Sequence, residues 1–383
     1  MILTDLRFLV LFAGCWLMFI VVPRARRAHV LAAWGAVFYA LYAGMFIVLI
    51  VVLTAAVLLA RRRWQAWLAG VAIVASLAAF KIVEAEWLPR FTGPAAVLIP
   101  LGLSYLSFEL LHVVIERRRG RLGDVSAANL LAFVFFAPCR VAGPIRRYPE
   151  FVAEIERAAP SADDFYRGLL RVLVGLAKKF VVADTLSLTV AELEAVRTQS
   201  HAWIVVLAYG FQLLFDFSAY SDLAIGFSRM LGIRVPENFN YPYLAVNIRD
   251  FWNRWHISLS HWVRDYVFVP MGRRLFATGL RPYPAVIAAV SYLVTFLIVG
   301  AWHGLTATFL LWGLYHGVLL SVHHVIQAHL PLAVAGSRWY RSPLGSTVAW
   351  AITFVCVTVG WVPFMTDLDR AQQLLRLMAG AAQ

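Results

Sequence analysis

The chain has 383 residues, of which 61% are hydrophobic and only 14% are charged. Soluble domains are about 45–50% apolar and about 25% charged, so this composition excludes a soluble enzyme and a disordered or collagen-like chain. The basic residues behind the net charge of +13 form short clusters between apolar runs, at 24–27, 61–63 and 117–121. This pattern is typical of the cytoplasmic loops of inner-membrane proteins and does not indicate nucleic-acid binding.

The apolar runs predict an all-α integral membrane protein. At roughly 20 residues per span, the chain has room for about 9–11 membrane segments. In chain order, the runs are 8–22, 30–60, 64–80, 95–115, 201–215, 221–233, 285–321 and 346–365. The run 30–60 is a tight hairpin if both of its basic flanks face the cytoplasm, which the sequence leaves open. We also expect a re-entrant or buried segment at 130–138 and a basic interfacial helix at 167–188. One polytopic membrane domain is expected to fill residues 1–383.

The densest polar and aromatic stretch runs from Asp250 to Tyr266. Wound as one continuous helix at 100° per residue, it places Asn253, His256 and Ser260 on one side and its tryptophans on the opposite arc. Two interpretations stay open. The stretch is either an interfacial helix with an aromatic belt or a helix whose polar face lines a hydrated cavity inside the protein.

The 37 residues of Ala285–Ser321 contain no charged side chain other than any charge on histidine. A span needs about 20 residues, so the chain must turn inside this run, and Trp302–Gly304 lies near its middle. A non-helical turn at membrane depth is tolerated only when it is buried in protein or lines a wet cavity. His303 is therefore a candidate general base, with a neutral structural histidine as the alternative. His316 is a weaker candidate. We expect no metal site, because no carboxylate or cysteine lies at ligand spacing near these histidines.

Two further stretches combine charge with a break in the apolar pattern. Gly143 and Pro144 mark a chain reversal that is flanked by Arg140, Arg146 and Arg147. These arginines suit the binding of a phosphate or a phosphopantetheine arm, and equally suit cytoplasmic anchors that snorkel to the membrane surface. In the second stretch, 216–222, two carboxylates interrupt an apolar run, and we expect them to bond the next helix or to pair with arginines.

Taken together, these stretches resemble the membrane-bound O-acyltransferase (MBOAT) family, in the bacterial branch that contains alginate O-acetylases and the teichoic-acid D-alanyl transferase. The resemblance covers residues 95–365 in the same order. The matching stretches are Pro100–Phe108, Gly143–Tyr148, Asp216–Asp222, Pro236–Tyr241, Asp250–Ser260, Arg264–Tyr266, Ala301–Gly304 and Tyr315–Gly317. The string FWNRWHISLS is long enough to be specific, whereas WHG alone would not be.

The resemblance implies a ring of tilted helices around a thinned central funnel. It also implies two key histidines, with His303 at the neck of the funnel as the catalytic residue and His256 as the second. The residues expected to contact the substrate are Asn253, Arg254, Trp255, Ser260, Trp302 and His316. The residues expected to hold the acyl donor are Arg140, Arg146 and Arg147.

The activity that the resemblance implies is an O-acyltransferase. It would move an acetyl or D-alanyl group from a cytoplasmic thioester, on coenzyme A or a phosphopantetheine carrier protein, to hydroxyls of an extracytoplasmic cell-envelope polymer or polysaccharide. No permanently bound cofactor is expected. The implied partners are the lipid bilayer, the acyl donor and an extracytoplasmic relay acyltransferase, and the implied location is the bacterial cytoplasmic (inner) membrane. The alternative is a transporter or flippase of a lipid-linked sugar or acyl group, although no two-half internal repeat is visible.

Overall fold

The computed structural model describes residues 2–84, 102–329 and 342–381. These residues are helical or lie in turns and loops, and no strand occurs among them, so the predicted all-α class is confirmed. The first two residues of the predicted motif 100–108 and the first seven residues of the predicted apolar run 95–115 lie outside the described residues.

The helices group into two compact units, so the single domain predicted from the sequence stays a prediction. Unit 1 comprises Met1–Lys179 and Phe217–Glu237, and unit 2 comprises Phe180–Asp216 and Asn238–Gln383.

The first helices of the chain build unit 1. They are α1 (Leu6–Val21), α2 (Arg27–Ala43), α3 (Phe46–Leu59), α4 (Arg63–Glu84), α5 (Leu103–Arg118), α6 (Ala127–Phe135), α7 (Tyr148–Arg157) and α8 (Ala162–Ala177). The apolar run 30–60 is thus two helices that meet at Gly44, whose φ of 54° favours glycine. Aromatic contacts fill the core of this unit. For example, Tyr39 meets Phe135 edge-on, with ring centroids 5.3 Å apart.

Unit 2 contains most of the remaining helices. They are α9 (Asp184–Val190), α10 (Gln199–Met230), α11 (Ile248–Arg254), α12 (Ile257–Val263), α13 (Val269–Phe276), α14 (Pro284–His303), α15 (Ala307–His329), α16 (Pro343–Gly360), α17 (Val362–Met365) and α18 (Leu368–Met378). The end of α10 belongs to unit 1. In the core, Trp361 Nε1 donates a hydrogen bond to Tyr243 Oη at 3.0 Å, and that hydroxyl donates to the Gly210 carbonyl at 2.7 Å. The indole N–H of Trp361 and the hydroxyl of Tyr243 therefore both have hydrogen-bond partners.

Five segments are long and apolar enough to cross a membrane by length and composition. They are most of α4, α10, α14, most of α15, and Pro343–Met365. The helices α1 and α3 are apolar but shorter. These segments confirm the integral-membrane class. The predicted number of 9–11 membrane segments stays a prediction, because these five segments are the long apolar helices of the described residues alone.

The prediction of two separate spans at 201–215 and 221–233 is wrong, because the single helix α10 covers nearly all of both. Asp222 does not interrupt it. Arg171 Nε lies 2.5 Å from one carboxylate oxygen of Asp222, and Lys178 Nζ lies 2.6 Å from the other. These two cations offset the cost of burying the carboxylate inside a long helix. For Asp222, pairing with an arginine, one of the two alternatives for this stretch, is observed, and Lys178 is a second cationic partner.

Candidate active site

The chain reversal predicted inside Ala285–Ser321 is present. The helix α14 ends at His303, and Gly304 follows in an extended conformation while its N–H donates to the Gly300 carbonyl at 3.0 Å. The next helix, α15, begins at Ala307. The histidine therefore occupies the last position of one helix, directly before the turn.

Two glycines allow the helices of this hairpin to pack very closely. A Cβ atom on Gly300 would lie 2.4 Å from the Phe309 carbonyl oxygen, and one on Gly313 would lie 2.3 Å from the Phe296 carbonyl oxygen. Carbon and oxygen atoms do not approach so closely without a backbone shift, so only glycine fits at either position. The close packing fixes the position of His303 relative to α15.

Aromatic side chains surround the His303 ring without enclosing it. Its centroid lies 4.5 Å from Trp302, 5.2 Å from Trp312 and 4.9 Å from Phe364, in each case with the rings steeply inclined. The histidine itself is half-buried. An imidazole in this position has apolar walls and an accessible side, which is the arrangement that a general acid or base requires.

The predicted continuous helix over 250–266 is wrong. The helix α11 ends at Arg254, α12 begins at Ile257, and His256 between them has a φ of 43°. A non-glycine residue in this left-handed region costs of order 1–3 kcal/mol, which the surrounding contacts must offset. The polar face that a single helix would present is therefore divided between two short helices.

Asn238, from the stretch Pro236–Tyr241, holds this break in place. Its side-chain Oδ1 accepts a hydrogen bond from Ser258 Oγ at 2.6 Å, and its backbone carbonyl accepts one from the Ile257 N–H at 2.9 Å. Asn238 is completely buried. Two motifs that are separate in the sequence thus meet in the fold and fix the conformation of His256.

His256 is only 3% exposed and lies outside the five candidate spans. Burial lowers the pKa of its imidazole well below the usual range, and the charge of nearby His303 lowers it further. His256 is therefore neutral at neutral pH.

His316 lies behind the wall of the site. It is completely buried among aromatic rings, with its centroid 5.1 Å from Trp252, 5.1 Å from Trp312 and 5.3 Å from Tyr315. Within the described parts of the chain, neither of its ring nitrogens has a hydrogen-bond partner. The sequence predicted a substrate contact for His316, but an enclosed ring offers no surface to a substrate. It contacts Trp312, which in turn contacts His303.

A cavity of about 190 Å³ adjoins α11 and α12. Asn253 and Ser260, both predicted to contact the substrate, line it together with Arg249. Arg249 is exposed and has no ion-pair or hydrogen-bond partner among the residues that the structure describes. The cavity therefore offers an amide, a hydroxyl and an unpaired guanidinium, which suit a polar group with negative charge.

Two other predicted substrate contacts are already engaged. Arg254 Nε donates to Asp250 at 2.8 Å, one helical turn away. Trp255 is 5% exposed, and its ring packs against Trp361 with centroids 4.9 Å apart. Both side chains hold α11 in place, so the predicted contact with substrate is not what their positions favour.

The predicted donor site at Arg140 and Arg146 requires a correction. Arg140 Nη2 donates to one oxygen of Glu109 at 2.7 Å, and Arg146 Nε donates to the other at 3.0 Å. Each guanidinium also donates to a backbone carbonyl, and the two residues are 0% and 2% exposed. They form an internal ion cluster in unit 1 and present no charge to a ligand. Arg147 is half-buried directly before α7.

Sequence reasoning missed Trp312, Phe364, Asn238 and Arg249. Trp312 had a usable signal, because it lies four residues before His316 in an apolar helix and therefore on the same face. Arg249 directly precedes the polar–aromatic stretch, yet its cavity depends on how the chain folds around it. Phe364 reaches His303 from another helix, and no local pattern indicates that contact.

Known proteins are similar to this chain over most of its length. The family model for MBOAT, the membrane-bound O-acyltransferase family, matches residues 30–360, so the match starts well before the predicted region. A probable alginate O-acetylase of Pseudomonas aeruginosa is 36% identical over 277 residues, which cover 71% of this chain and 49% of that protein. The teichoic acid D-alanyltransferase of Bacillus subtilis is 34% identical over 272 residues, or 69% of this chain and 68% of that protein. The peptidoglycan O-acetyltransferase of Helicobacter pylori is 36% identical over 256 residues, which cover 65% of this chain and 46% of that protein. The chain spans about half the length of the matched alginate O-acetylases.

Proposed function

This chain belongs to the membrane-bound O-acyltransferase family, and we propose that it transfers an acyl group from a thioester to hydroxyls of an extracytoplasmic cell-envelope polymer. The observation that carries the proposal is the position of His303. It is a half-exposed imidazole at the turn of a glycine-packed hairpin, beside the rings of Trp312 and Phe364.

His303 acts as the general base. It takes the proton from the acceptor hydroxyl as that oxygen attacks the carbonyl carbon of the thioester. The new carbon–oxygen bond forms, the carbon–sulfur bond breaks, and the protonated imidazole then gives its proton to the departing thiolate. A placed proton acceptor contributes about 10²–10⁴-fold to the rate.

His256 acts as a positioning group. Its neutral imidazole orients His303 or the thioester carbonyl. The left-handed backbone conformation of His256 is disfavoured by itself, and Asn238 holds the residue in it. A costly conformation that is held by a buried contact supports a positioning role.

The polar end of the donor occupies the cavity beside α11 and α12. Arg249 supplies the positive charge for a phosphate of coenzyme A or of the phosphopantetheine arm, and Asn253 and Ser260 supply hydrogen bonds. Arg249 takes the donor-binding role that was predicted for Arg140 and Arg146, because both of these are engaged with Glu109.

The proposed acyl group and the proposed polymer are based on the activities for which the similar proteins are named. The similar proteins are named for the acetylation of alginate and peptidoglycan and for the D-alanylation of teichoic acid. We therefore propose acetyl or D-alanyl transfer in the bacterial cytoplasmic membrane, with a relay acyltransferase outside the membrane as partner.

The test is acyl transfer in membrane vesicles that retain the partner proteins and polymers of the host. Labelled acetyl-CoA and a labelled D-alanyl carrier protein serve as separate donors. We expect His303→Ala to reduce covalent transfer at least about 100-fold, because the base is lost, in a protein that still folds, because the ring is half-exposed. The matched control is His324→Ala, at the other end of the same hairpin, which should retain activity. A fully active His303→Ala protein would contradict the proposal.

A transporter or flippase gives a different result in the same vesicles. It moves the labelled group without forming a new bond to the polymer, so the label stays on its original carrier after a single turnover. Movement of intact carrier without covalent transfer would replace the proposed acyltransferase with the transport alternative.

A further inference from the structure

Unit 1 contains a second polar cavity, of about 530 Å³, which we call the arginine pocket. It lies where the end of α3, the start of α4 and the end of α5 meet. Its charged lining consists of Arg61, Arg62, Arg63, Arg117, Arg118, Arg119 and Asp124. Among the described residues, six arginines thus line one cavity with a single acidic residue.

The chain brings these two arginine clusters together through a specific contact. Arg117 Nη1 donates to the Val57 carbonyl at 2.7 Å, at the last turn of α3, and so ties the end of α5 to the end of α3. The helix α4 packs on α5, since a Cβ on Gly70 would be in ordinary contact with Val114 at 3.6 Å. Helix packing therefore brings together the two connections, 60–62 and 119–124, that carry most of the pocket lining.

Most of the positive charge in the arginine pocket is unpaired. Arg119 bonds Glu116 at 2.9 Å, and Arg117 is engaged with carbonyls. In contrast, the guanidiniums of the other four arginines of the pocket have no ion-pair or hydrogen-bond partner within the described ranges. These four are Arg61, Arg62, Arg63 and Arg118, and all of them are exposed. Exposed like charges so close together repel one another unless an anion lies between them.

Two tryptophans indicate the depth of the pocket in the membrane. Trp64 and Trp67 lie in the first turns of α4 and are 56% and 55% exposed. The helix α4 contains the candidate span Arg63–Val83. Exposed tryptophans at the end of a span are typical of the headgroup level of a bilayer. The arginine pocket therefore opens where phospholipid phosphates are concentrated.

We propose that the arginine pocket binds the phosphate of an anionic phospholipid headgroup, such as phosphatidylglycerol or cardiolipin. The planar fork of arginine matches phosphate oxygens two at a time, and basic cavities between membrane helices are suited to such headgroups. The start of α4 adds the partial positive charge of a helix N-terminus. This site is separate from the acyl-transfer residues, and nothing in it depends on the proposed activity.

The experiment measures lipid adducts on the full-length protein in detergent by native mass spectrometry. Cardiolipin and phosphatidylglycerol are compared with zwitterionic phosphatidylcholine, at equal concentration and at two salt concentrations. We expect the anionic lipids to bind and phosphatidylcholine not to bind, with binding that weakens as salt rises.

The discriminating variant is Arg61→Gln/Arg118→Gln, which should bind cardiolipin about tenfold more weakly, because each interfacial arginine contributes to the attraction. Its matched control is Arg24→Gln/Arg26→Gln, which removes two exposed arginines of unit 1 that line no such pocket and should leave binding unchanged. Equal losses of cardiolipin binding in both variants would show that binding depends only on the overall positive charge, and would overturn the proposed site. Binding of inorganic pyrophosphate in place of lipid would assign the pocket to a soluble phosphate compound and overturn the lipid proposal. If the pocket variant fails to fold, equal binding of phosphatidylcholine and cardiolipin to the unaltered protein would still refute the proposal.

Discussion

The arginines of the ion cluster in unit 1 and the arginine of the cavity in unit 2 have the same side chain in opposite surroundings. Arg140 and Arg146 use both oxygens of Glu109 and are almost fully buried. Arg249 is exposed, lines a cavity and has no acidic partner among the residues described. In the sequence, only the first two looked like a ligand site. The comparison shows that the Arg140 and Arg146 guanidiniums are already bound by a buried carboxylate within the chain, whereas the Arg249 guanidinium is available to a ligand.

The largest expected effect is on the buried cluster. Glu109→Gln removes the charge that pairs with two enclosed guanidiniums, so we expect a loss of about 3–5 kcal/mol in the free energy of unfolding. Thermal unfolding of the purified protein measures it. The matched control is Asp163→Asn, whose partner Arg167 is exposed, and which should cost less than about 1 kcal/mol. Equal losses from the two variants would mean that Glu109 does not hold the cluster together.

An intermediate effect is expected at the support of His256. Asn238→Ala removes the buried oxygen that accepts the hydrogen bond from the Ser258 hydroxyl and should cost about 1–3 kcal/mol of stability. Acyl transfer should fall more than this stability loss explains, because the left-handed turn of His256 is released. The single and double variants with Ser258→Ala form a thermodynamic cycle. Additive losses in that cycle, together with unchanged transfer, would show that the turn does not need this bond.

The smallest expected effect tests the exposed arginine. Arg249→Gln should raise the KM for the thioester donor about tenfold and leave kcat nearly unchanged, since a charge-assisted contact to the donor phosphate is lost while the base remains. Stability should not change. Arg273→Gln, an exposed arginine of α13, serves as the control and should have an unaltered KM. A fall in kcat alone would assign Arg249 to the reaction step and remove it from donor binding.

The sequence predicted the helical membrane class and the reversal at His303 correctly, because both depend on local quantities. The reversal follows from counting 37 uncharged residues against the thickness of a bilayer, and it needs no knowledge of other segments. The roles of individual site residues stay predictions.

The predictions of a break at Asp222 and of one helix through His256 were wrong, because both features depend on residues distant in the chain. Asp222 was expected to divide an apolar run, but Arg171 and Lys178 neutralise it from an earlier helix and α10 continues. The stretch around His256 looked like one helix because local periodicity cannot reveal the bonds that Asn238 makes to the residues after the break. In each case a tertiary contact overrode the local preference.

The short connection between α14 and α15 has a consequence for protein synthesis. Only Gly304–Thr306 separates the helices, and the rings that wall His303 come mostly from residues made after it, at Trp312 and Phe364. Trp312 lies nine residues after His303 and leaves the ribosome almost together with it, whereas Phe364 lies 61 residues later. The imidazole therefore acquires the Phe364 side of its surroundings only after the last membrane helices have been made.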